Sequence, residues 1–148
     1  MSTYTQIIYQ IVFSTKNRER TLSKNNRELL FKYISGLLNN KKCHLYVIGG
    51  VEDHIHILTH IHPCVSLSAL VKDIKISTCG YIKEARLFQK FNGWQEGYGA
   101  FTYSIKEKQI IIDYILNQEQ HHSKKSFKNE YFDLLTENDV LFEEKYLL

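Results

Sequence analysis

Two histidines separated by a single residue stand inside an apolar segment of the chain. His54 and His56 lie in a stretch rich in isoleucine, which predicts a strand over residues 53–61. Residues two apart point to the same face of a strand, so both imidazoles are directed to one point. Two neutral imidazoles in this arrangement can share a metal ion, although a His-x-His spacing also arises by chance in a chain with seven histidines.

A second pair, His60 and His62, has the same spacing and the same parity. At ~3.3 Å per residue, His54 and His60 are ~20 Å apart, so the four imidazoles cannot share one ion. We favour the first pair as the metal site because it lies in the middle of the predicted strand beside a carboxylate, Asp53. Asp53 could orient a histidine or act as an alternate ligand. The second pair, next to Pro63, is better explained as a half-exposed strand end.

A tyrosine and an amide occur at helical spacing near the end of the chain. Tyr114 and Gln118 lie four residues apart in a segment that predicts a helix from about residue 106 to 122, so they share one face of that helix. The oxygen of a glutamine amide is a suitable ligand for Mg²⁺ or Mn²⁺. Among the surrounding isoleucines, Tyr114 could equally be an aromatic residue of the core.

Hydrophobic periodicity predicts the elements that would position these residues. Strands are predicted at 4–14, 43–49, 53–61 and 100–104, and helices from about Leu29 to Asn40, from Ser66 to Ala85, and at 106–122. A tight turn at Gly49-Gly50 would join the second and third strands. The order β-α-β-β-α-β-α predicts an α+β fold, namely a ferredoxin-like split βαβ antiparallel sheet with helices on one face, followed by a C-terminal helix.

The charge of the chain is distributed unevenly. The last twenty residues contain six of the acids: Glu130, Asp133, Glu137, Asp139, Glu143 and Glu144. Residues 1–128 therefore hold 18 basic and 10 acidic groups, a net charge of +8 that suits a polyanionic partner. We expect one domain over residues 3–128 and an acidic tail, partly helical or mobile, over residues 129–148. The residues that could follow a DNA backbone are Lys16, Arg18, Arg20, Lys72, Lys75, Lys83 and Arg86.

Several classes of protein are disfavoured by what the sequence lacks. The three cysteines form no Cys-x-x-Cys pair, which argues against a disulfide framework or a thiolate zinc site. No stretch reaches the roughly 18 apolar residues of a membrane span, and the polar opening of the chain is unlike a signal peptide. We therefore expect a cytoplasmic protein. The absence of a Gly-rich loop followed by Lys-Ser/Thr indicates that no nucleotide cofactor is needed.

Three separated motifs together resemble one known family. They are Asp53-His54-Ile55-His56, the segment from Trp94 to Gly99 (WQEGYG), and Tyr114-Ile115-Leu116-Asn117-Gln118 followed by His121-His122. In this order they are similar to the single-tyrosine HUH transposases, the small transposases of the simplest bacterial insertion sequences, and to their REP-associated tyrosine transposase relatives. The resemblance extends over residues 4–128.

The resemblance implies a complete activity. By it, His54, His56 and Gln118 are ligands of a divalent metal, Mg²⁺ or Mn²⁺, and Tyr114 on the C-terminal catalytic helix is the nucleophile. The family also implies a homodimer that recognises hairpin ends of single-stranded DNA, and cleavage and rejoining through a covalent 5′-phosphotyrosine intermediate. The tyrosine helix could dock on the sheet of either chain.

Three other functions remain open at this point. A noncatalytic single-stranded nucleic-acid-binding module with the topology of RNA-recognition domains would share the element order, but it needs exposed aromatics where this chain has His54 and His56. A domesticated relative that processes a chromosomal repeat would have the same active site. A zinc hydrolase acting through a metal-bound water would not need Tyr114.

Overall fold

The chain follows the predicted order β-α-β-β-α-β, and three α-helices come after the last strand. The computed structural model describes residues 2–146. Its elements are β1 (Ile8–Ser14), α1 (Lys24–Asn40), β2 (His44–Gly50), β3 (His54–His60), α2 (Leu67–Ala85), β4 (Gly99–Tyr103), α3 (Lys108–Leu116), α4 (Gln118–His122) and α5 (Phe127–Glu137). None of the helices in the described range is long and apolar enough to cross a membrane.

The four strands form one antiparallel sheet in the order β2-β3-β1-β4. In this order β3 separates β1 from β2, which is the split βαβ arrangement, so the predicted α+β fold is confirmed. β1 and β3 are the two central strands, and their register places His54 opposite Ser14 and His56 opposite Val12. The first histidine pair thus lies on a central strand, at the end where β3 begins and β1 finishes, and His56 pairs with Val12 on one side and Gly49 on the other.

One face of the sheet carries the larger core. Side chains from β1 and β3, including Ile11, Phe13, Ile55 and Ile57, pack against Leu30, Ile34 and Leu38 of α1 and Leu70 and Ile74 of α2. Each of these residues is at most 2% exposed, which is the burial expected of the apolar stripe of an amphipathic helix on a sheet. Ser66 is the N-cap residue of α2, directly before its first residue Leu67, and the Ser66 hydroxyl accepts a hydrogen bond from Ala69 N.

The opposite face is also covered, which differs from the expectation of helices on one side. Residues of even number on β1 and β3 point to this face, where Ile8 and Leu58 pack with Ile115 of α3. Val12 packs there with Phe127 and Leu134 of α5. The sheet is therefore enclosed between α1 and α2 on one side and the three C-terminal helices on the other. His54 and His56 have even numbers and face the C-terminal helices.

The predicted turn at Gly49-Gly50 is wrong. Gly49 pairs with His56 and Gly50 with Ile55 at the end of β2, and the chain reverses over residues 51–53 instead. The glycine at position 49 serves packing: a Cβ there would lie 2.8 Å from Ile115 Cγ2 and closer still to the Ile115 carbonyl oxygen. The missing side chain lets the end of α3 approach the sheet.

Gly49→Ala should therefore destabilise the fold. The added methyl group must displace the backbone of α3, and overpacking of this kind costs about 1–3 kcal/mol in the free energy of unfolding. Gly36→Ala is the matched control, because that helical glycine has open space around its Cβ position, and alanine there should stabilise α1 by about 0.5–1 kcal/mol. Urea unfolding of both variants measures the difference, and equal midpoints would contradict the close approach of α3.

The predicted helix over residues 106–122 is divided in two. α3 ends at Leu116, Asn117 leaves helical geometry with φ −95° and ψ 20°, and α4 begins at Gln118. After a short connection, α5 occupies part of the acidic segment, with Ser126 accepting a hydrogen bond from Asn129 N at its start. Within the predicted acidic tail over residues 129–148, residues 129–137 are helical.

Candidate active site

Each imidazole of the first pair contacts a polar side chain through its Nδ1 atom. His54 and His56 are 0% exposed, and their ring centroids lie 5.2 Å apart. His54 Nδ1 is 2.7 Å from Asp53 Oδ1, and His56 Nδ1 is 3.0 Å from the Gln10 amide. Because each Nδ1 is engaged, each Nε2 is directed toward the C-terminal helices. Asp53 thus contacts His54 in the manner of an orienting partner.

The side chain of Glu130, from α5, lies at the point where the imidazoles converge. Its Oε1 is 3.1 Å from His54 Nε2, 3.1 Å from His56 Nε2 and 3.0 Å from Nε2 of His122. Its Oε2 accepts hydrogen bonds from Gln118 Nε2, at 3.0 Å, and from the Tyr114 hydroxyl. One buried carboxylate therefore connects the histidines with the tyrosine and the glutamine of the third motif.

Tyr114 and Gln118 join Glu130 and the imidazoles of His54, His56 and His122 in one cluster of side chains, and they come from α3 and α4 of the same chain. The Tyr114 ring is 5.9 Å from that of His56 and 4.7 Å from that of His121. Gln118 is 1% exposed, and its Oε1 lies 3.0 Å from His54 Nε2. A single chain thus brings together His54, His56, Tyr114 and Gln118, with Tyr114 docked in cis on its own sheet.

The cluster strongly perturbs its ionisable groups. Burial opposes the charged form of Glu130, yet hydrogen bonds from His122, His54 and His56 hold the pKa of this carboxyl well below its usual range. Burial would lower the pKa of His54, but Asp53 and Glu130 raise it to about 9. Burial lowers the pKa of His56. A divalent ion would therefore compete with a proton for His54, since only the neutral imidazole binds metal.

The donor set fits a divalent metal ion. One atom each from His54, His122 and Glu130 lie within 4.8 Å of one another, so this group could hold an ion. His56 Nε2 and Gln118 Oε1 adjoin the same three residues. Imidazole nitrogens with one carboxylate and one amide oxygen are ligands that Mn²⁺, Mg²⁺ and Zn²⁺ accept to different degrees.

Two residues of the site, His122 and Glu130, are not predicted by the sequence pattern. His122 belongs to the third motif without an implied role, and Glu130 is one of six acids in the predicted tail. A signal for Glu130 does exist: Phe127, Glu130 and Leu134 recur at helical spacing and are all buried. A carboxylate on the apolar stripe of a helix becomes buried, and a buried charge is costly unless an ion pair or hydrogen bonds compensate it.

The second histidine pair lies outside the cluster. His60 is the last residue of β3, and its Nδ1 accepts a hydrogen bond from Ile7 N at 3.0 Å. His62 lies beyond the strand, where its Nδ1 accepts from Cys64 N at 3.1 Å. Both side chains are half-buried, and each accepts a hydrogen bond from a nearby backbone amide.

The basic residues proposed for DNA contact are spread over the loop after β1 and over α2. Lys16, Arg20, Lys72, Lys83 and Arg86 are exposed, while Arg18 and Lys75 are half-buried. The ammonium group of Lys75 donates to Gln95 O at 2.9 Å and to Gly97 O at 2.5 Å, so it also holds the second motif in place. Arg20 lines a cleft of about 380 Å³ together with Asp53 and His122.

A second cleft, of about 770 Å³, opens directly beside Tyr114 and Glu130. Tyr114 and Glu130 both line this cleft, and Lys124 and Lys125 contribute to its wall. The sheet itself is not accessible at His54 and His56, because the C-terminal helices cover that face. Bases could not stack on the sheet there, which argues against the module related to RNA-recognition domains.

The sequence matches the model of a known family over most of its length. That family is described as "Transposase IS200 like", and the match covers residues 3–118. The chain belongs to this family. Membership implies a DNA-cleaving enzyme and agrees with the resemblance drawn from the three motifs. No curated protein is similar enough in sequence to count as a relative.

Two solved structures share the fold of this IS200-like transposase. A chain from Deinococcus radiodurans R1, assigned as a transposase, is 20% identical with a TM-score of 0.60, over 80% of this chain and 95% of that one. A REP-associated tyrosine transposase bound to a REP hairpin is 16% identical with a TM-score of 0.56, over 78% of this chain and 70% of that one. At these identities the likeness concerns the fold.

Proposed function

We propose that this transposase cleaves and rejoins single-stranded DNA through a covalent 5′-phosphotyrosine intermediate on Tyr114. The observation that carries the proposal is the meeting of the Tyr114 hydroxyl with two buried imidazoles, Gln118 and Glu130 in one cluster beside an open cleft. A tyrosine that only filled the core would not need its hydroxyl at a potential metal centre. A zinc hydrolase would not need it either.

His54, His56 and Gln118 would hold the metal, with Glu130 and His122 close enough to contribute. A bound Mg²⁺ or Mn²⁺ would polarise the scissile phosphate and neutralise the charge that grows on its oxygens. Other residues of the chain position the metal ligands and the nucleophile. Asp53 and Gln10 orient the two imidazoles through hydrogen bonds to Nδ1. The close contact between Ile115 of α3 and Gly49 of the sheet places the Tyr114 phenol beside them.

The reaction exchanges one phosphodiester bond for another, so the free energy of the DNA bond is kept in the bond to tyrosine. The Tyr114 oxygen bonds to phosphorus, the bond from phosphorus to the 3′ oxygen breaks, and the 5′ phosphate remains on the tyrosine. A 3′ hydroxyl can later displace the tyrosine and restore a DNA strand without a nucleotide cofactor. The basic loop and α2 would contact the DNA backbone, in agreement with the net charge of residues 1–128.

The preferred substrate would be a DNA hairpin with single-stranded flanks, and the working form a homodimer. The hairpin is proposed because the REP-associated transposase of similar fold is bound to one. The dimer is proposed because exchange of two DNA ends needs two nucleophiles, and each chain offers one tyrosine in this site. We expect the protein to act in the cytoplasm, where its DNA substrate would lie.

The test is to incubate the protein with hairpin DNA and Mg²⁺ or Mn²⁺ and to resolve the products under denaturing conditions. DNA labelled at its 3′ end should become covalently attached to protein, whereas DNA labelled at its 5′ end should appear as a shortened free strand. EDTA should abolish both products, since the phosphate would lose its electrostatic stabilisation. Attachment of the 5′ label, or cleavage unaffected by EDTA, would contradict the proposal.

A further inference from the structure

A groove away from the active-site cluster lies between α2 and the second motif, the segment from Trp94 to Gly99. Its volume is about 590 Å³, within the usual range of ligand pockets. Its apolar lining consists of Val71, Ile76, Cys79, Trp94 and Tyr98. It lies on the α2 side of the sheet, and none of its residues lines either of the two clefts beside the cluster. The cleavage site therefore does not account for this groove.

Two large side chains of the groove are exposed to solvent. Ile76 of α2 is 61% exposed and Tyr98 of the second motif is 37% exposed. Within residues 2–146, the Tyr98 ring has no aromatic neighbour and its hydroxyl has no hydrogen-bond partner. Tyr98 is thus an aromatic side chain that the fold leaves open, and apolar surface of this kind marks binding sites.

Hydrogen bonds hold the second motif in a fixed position against α2. The Lys75 ammonium donates to Gln95 O at 2.9 Å and to Gly97 O at 2.5 Å. Trp94 Nε1 donates to Thr78 Oγ1 at 2.9 Å. These bonds set the distance between the two walls before any ligand arrives, so little conformational entropy is lost on binding.

The surroundings of the groove are positively charged. Lys72 lines it, is exposed, and forms no ion pair or hydrogen bond in the described part of the chain. Lys83 lies further along the same side of α2. In the basic loop, Lys16 N donates to Gly93 O at 2.9 Å, which brings this loop next to the second motif. Glu96 is the one acid among the lining residues.

We propose that this groove binds an unpaired base of the DNA substrate, stacked on Tyr98 and against Ile76, with a neighbouring phosphate at Lys72. An aromatic and aliphatic surface beside unpartnered cations is complementary to a flat ring attached to a phosphate backbone. This inference rests on the proposed function, because it concerns how the same DNA is held. A base inside a duplex is already stacked on both faces, so the groove would select unpaired positions of the hairpin DNA.

Removing one base from the DNA and removing the Tyr98 ring test the same contact. Tyr98→Ala should weaken binding of hairpin DNA about 10-fold, the usual effect of losing one base–aromatic stack. Hairpin DNAs with one abasic site each, placed in turn at every unpaired position, should include one that the wild type binds more weakly by a similar factor. At that position the two changes should not add, because each removes the same contact.

Three further variants separate stacking from charge. Tyr98→Phe keeps the ring and should bind hairpin DNA like the wild type. Tyr4→Ala removes an exposed tyrosine outside the groove and should leave the affinity unchanged. Lys72→Gln should lower the slope of log affinity against log salt concentration by about one. Tyr98→Ala should leave that slope unchanged, since a stacked base releases no counterions.

The possible results separate the inference from the proposed function. The groove assignment would be overturned by equal affinities of Tyr98→Ala and the wild type, by additive effects at every unpaired position, or by an equal loss in Tyr98→Phe. Dissociation of the protein dimer by Tyr98→Ala would overturn it too, and would make the groove an interface between copies. Circular dichroism verifies that each variant is folded. Absence of any covalent adduct with the wild-type protein would instead refute the proposed function.

Discussion

Tyr114→Phe should form no covalent adduct with hairpin DNA while still binding it. The substitution removes only the hydroxyl oxygen, so the ring keeps its place beside His56 and His121. Loss of a nucleophile typically lowers the rate by ~10⁴-fold or more, which would place the adduct below detection. The remaining interactions of Glu130 with Gln118 and the imidazoles should preserve the fold, at a cost of about 1 kcal/mol for the lost hydrogen bond.

Two measurements on the same DNA test this expectation: filter binding for affinity and denaturing electrophoresis for the adduct. Tyr103→Phe is a suitable control, because Tyr103 lines the same cleft and donates its hydroxyl to Gln10 rather than to Glu130. An adduct that persists in Tyr114→Phe would assign the attack to another tyrosine, with Tyr103 and Tyr98 the first to examine.

The same variant tests which chain supplies the tyrosine. In this structure α3 packs on the sheet of its own chain, with Ile115 seated against Gly49. Mixed dimers of Tyr114→Phe with His54→Ala chains should therefore remain inactive, because neither chain holds a complete site. Recovery of cleavage in verified mixed dimers would show that the helix exchanges between chains.

His54→Ala and His56→Ala should each abolish metal-dependent cleavage, and they should weaken Mn²⁺ binding at least ~10-fold. Each substitution removes an imidazole whose Nε2 points at the cluster, and it leaves the buried Glu130 carboxylate short of a partner. DNA affinity should be largely retained, since we propose that the basic loop and α2 contact the DNA backbone. Calorimetric titration with Mn²⁺ and the adduct assay measure the two effects independently.

His60→Ala and His62→Ala are the matched controls on the same segment. Their imidazoles accept hydrogen bonds from backbone amides of Ile7 and Cys64, so their loss should lower stability by about 0.5–1.5 kcal/mol and leave metal binding intact. If the second pair proves essential for Mn²⁺ binding and the first dispensable, the metal centre has been assigned to the wrong histidines.

Local sequence determined the main elements and the faces on which the active-site candidates lie. The parity of His54 and His56 on a strand, and the four-residue spacing of Tyr114 and Gln118, depend only on backbone periodicity. Both pairs accordingly point to a common side in the structure. The split βαβ order followed in the same way, because each element's hydrophobic period is a local property.

Other features required the tertiary structure, because they depend on which elements face each other. Gly49 predicted a turn, but glycine is suited both to turns and to close packing contacts. Only the position of α3 against Gly49 shows that the packing contact is the reason for this glycine. The interruption at Asn117 was equally hidden, because the segment from Lys108 to His122 has a helical pattern on both sides of it.

Glu130 shows the difference most clearly. In sequence it is one acid among six in the last twenty residues, 76 positions after His54, and its charge there suggests a solvated tail. In the fold it is 3% exposed and touches His54, His56 and His122. The sequence by itself determined that two imidazoles, a phenol and an amide could meet. The packing of α5 across the sheet decided that a buried carboxylate joins them, because contacts between distant segments arise only when the chain folds.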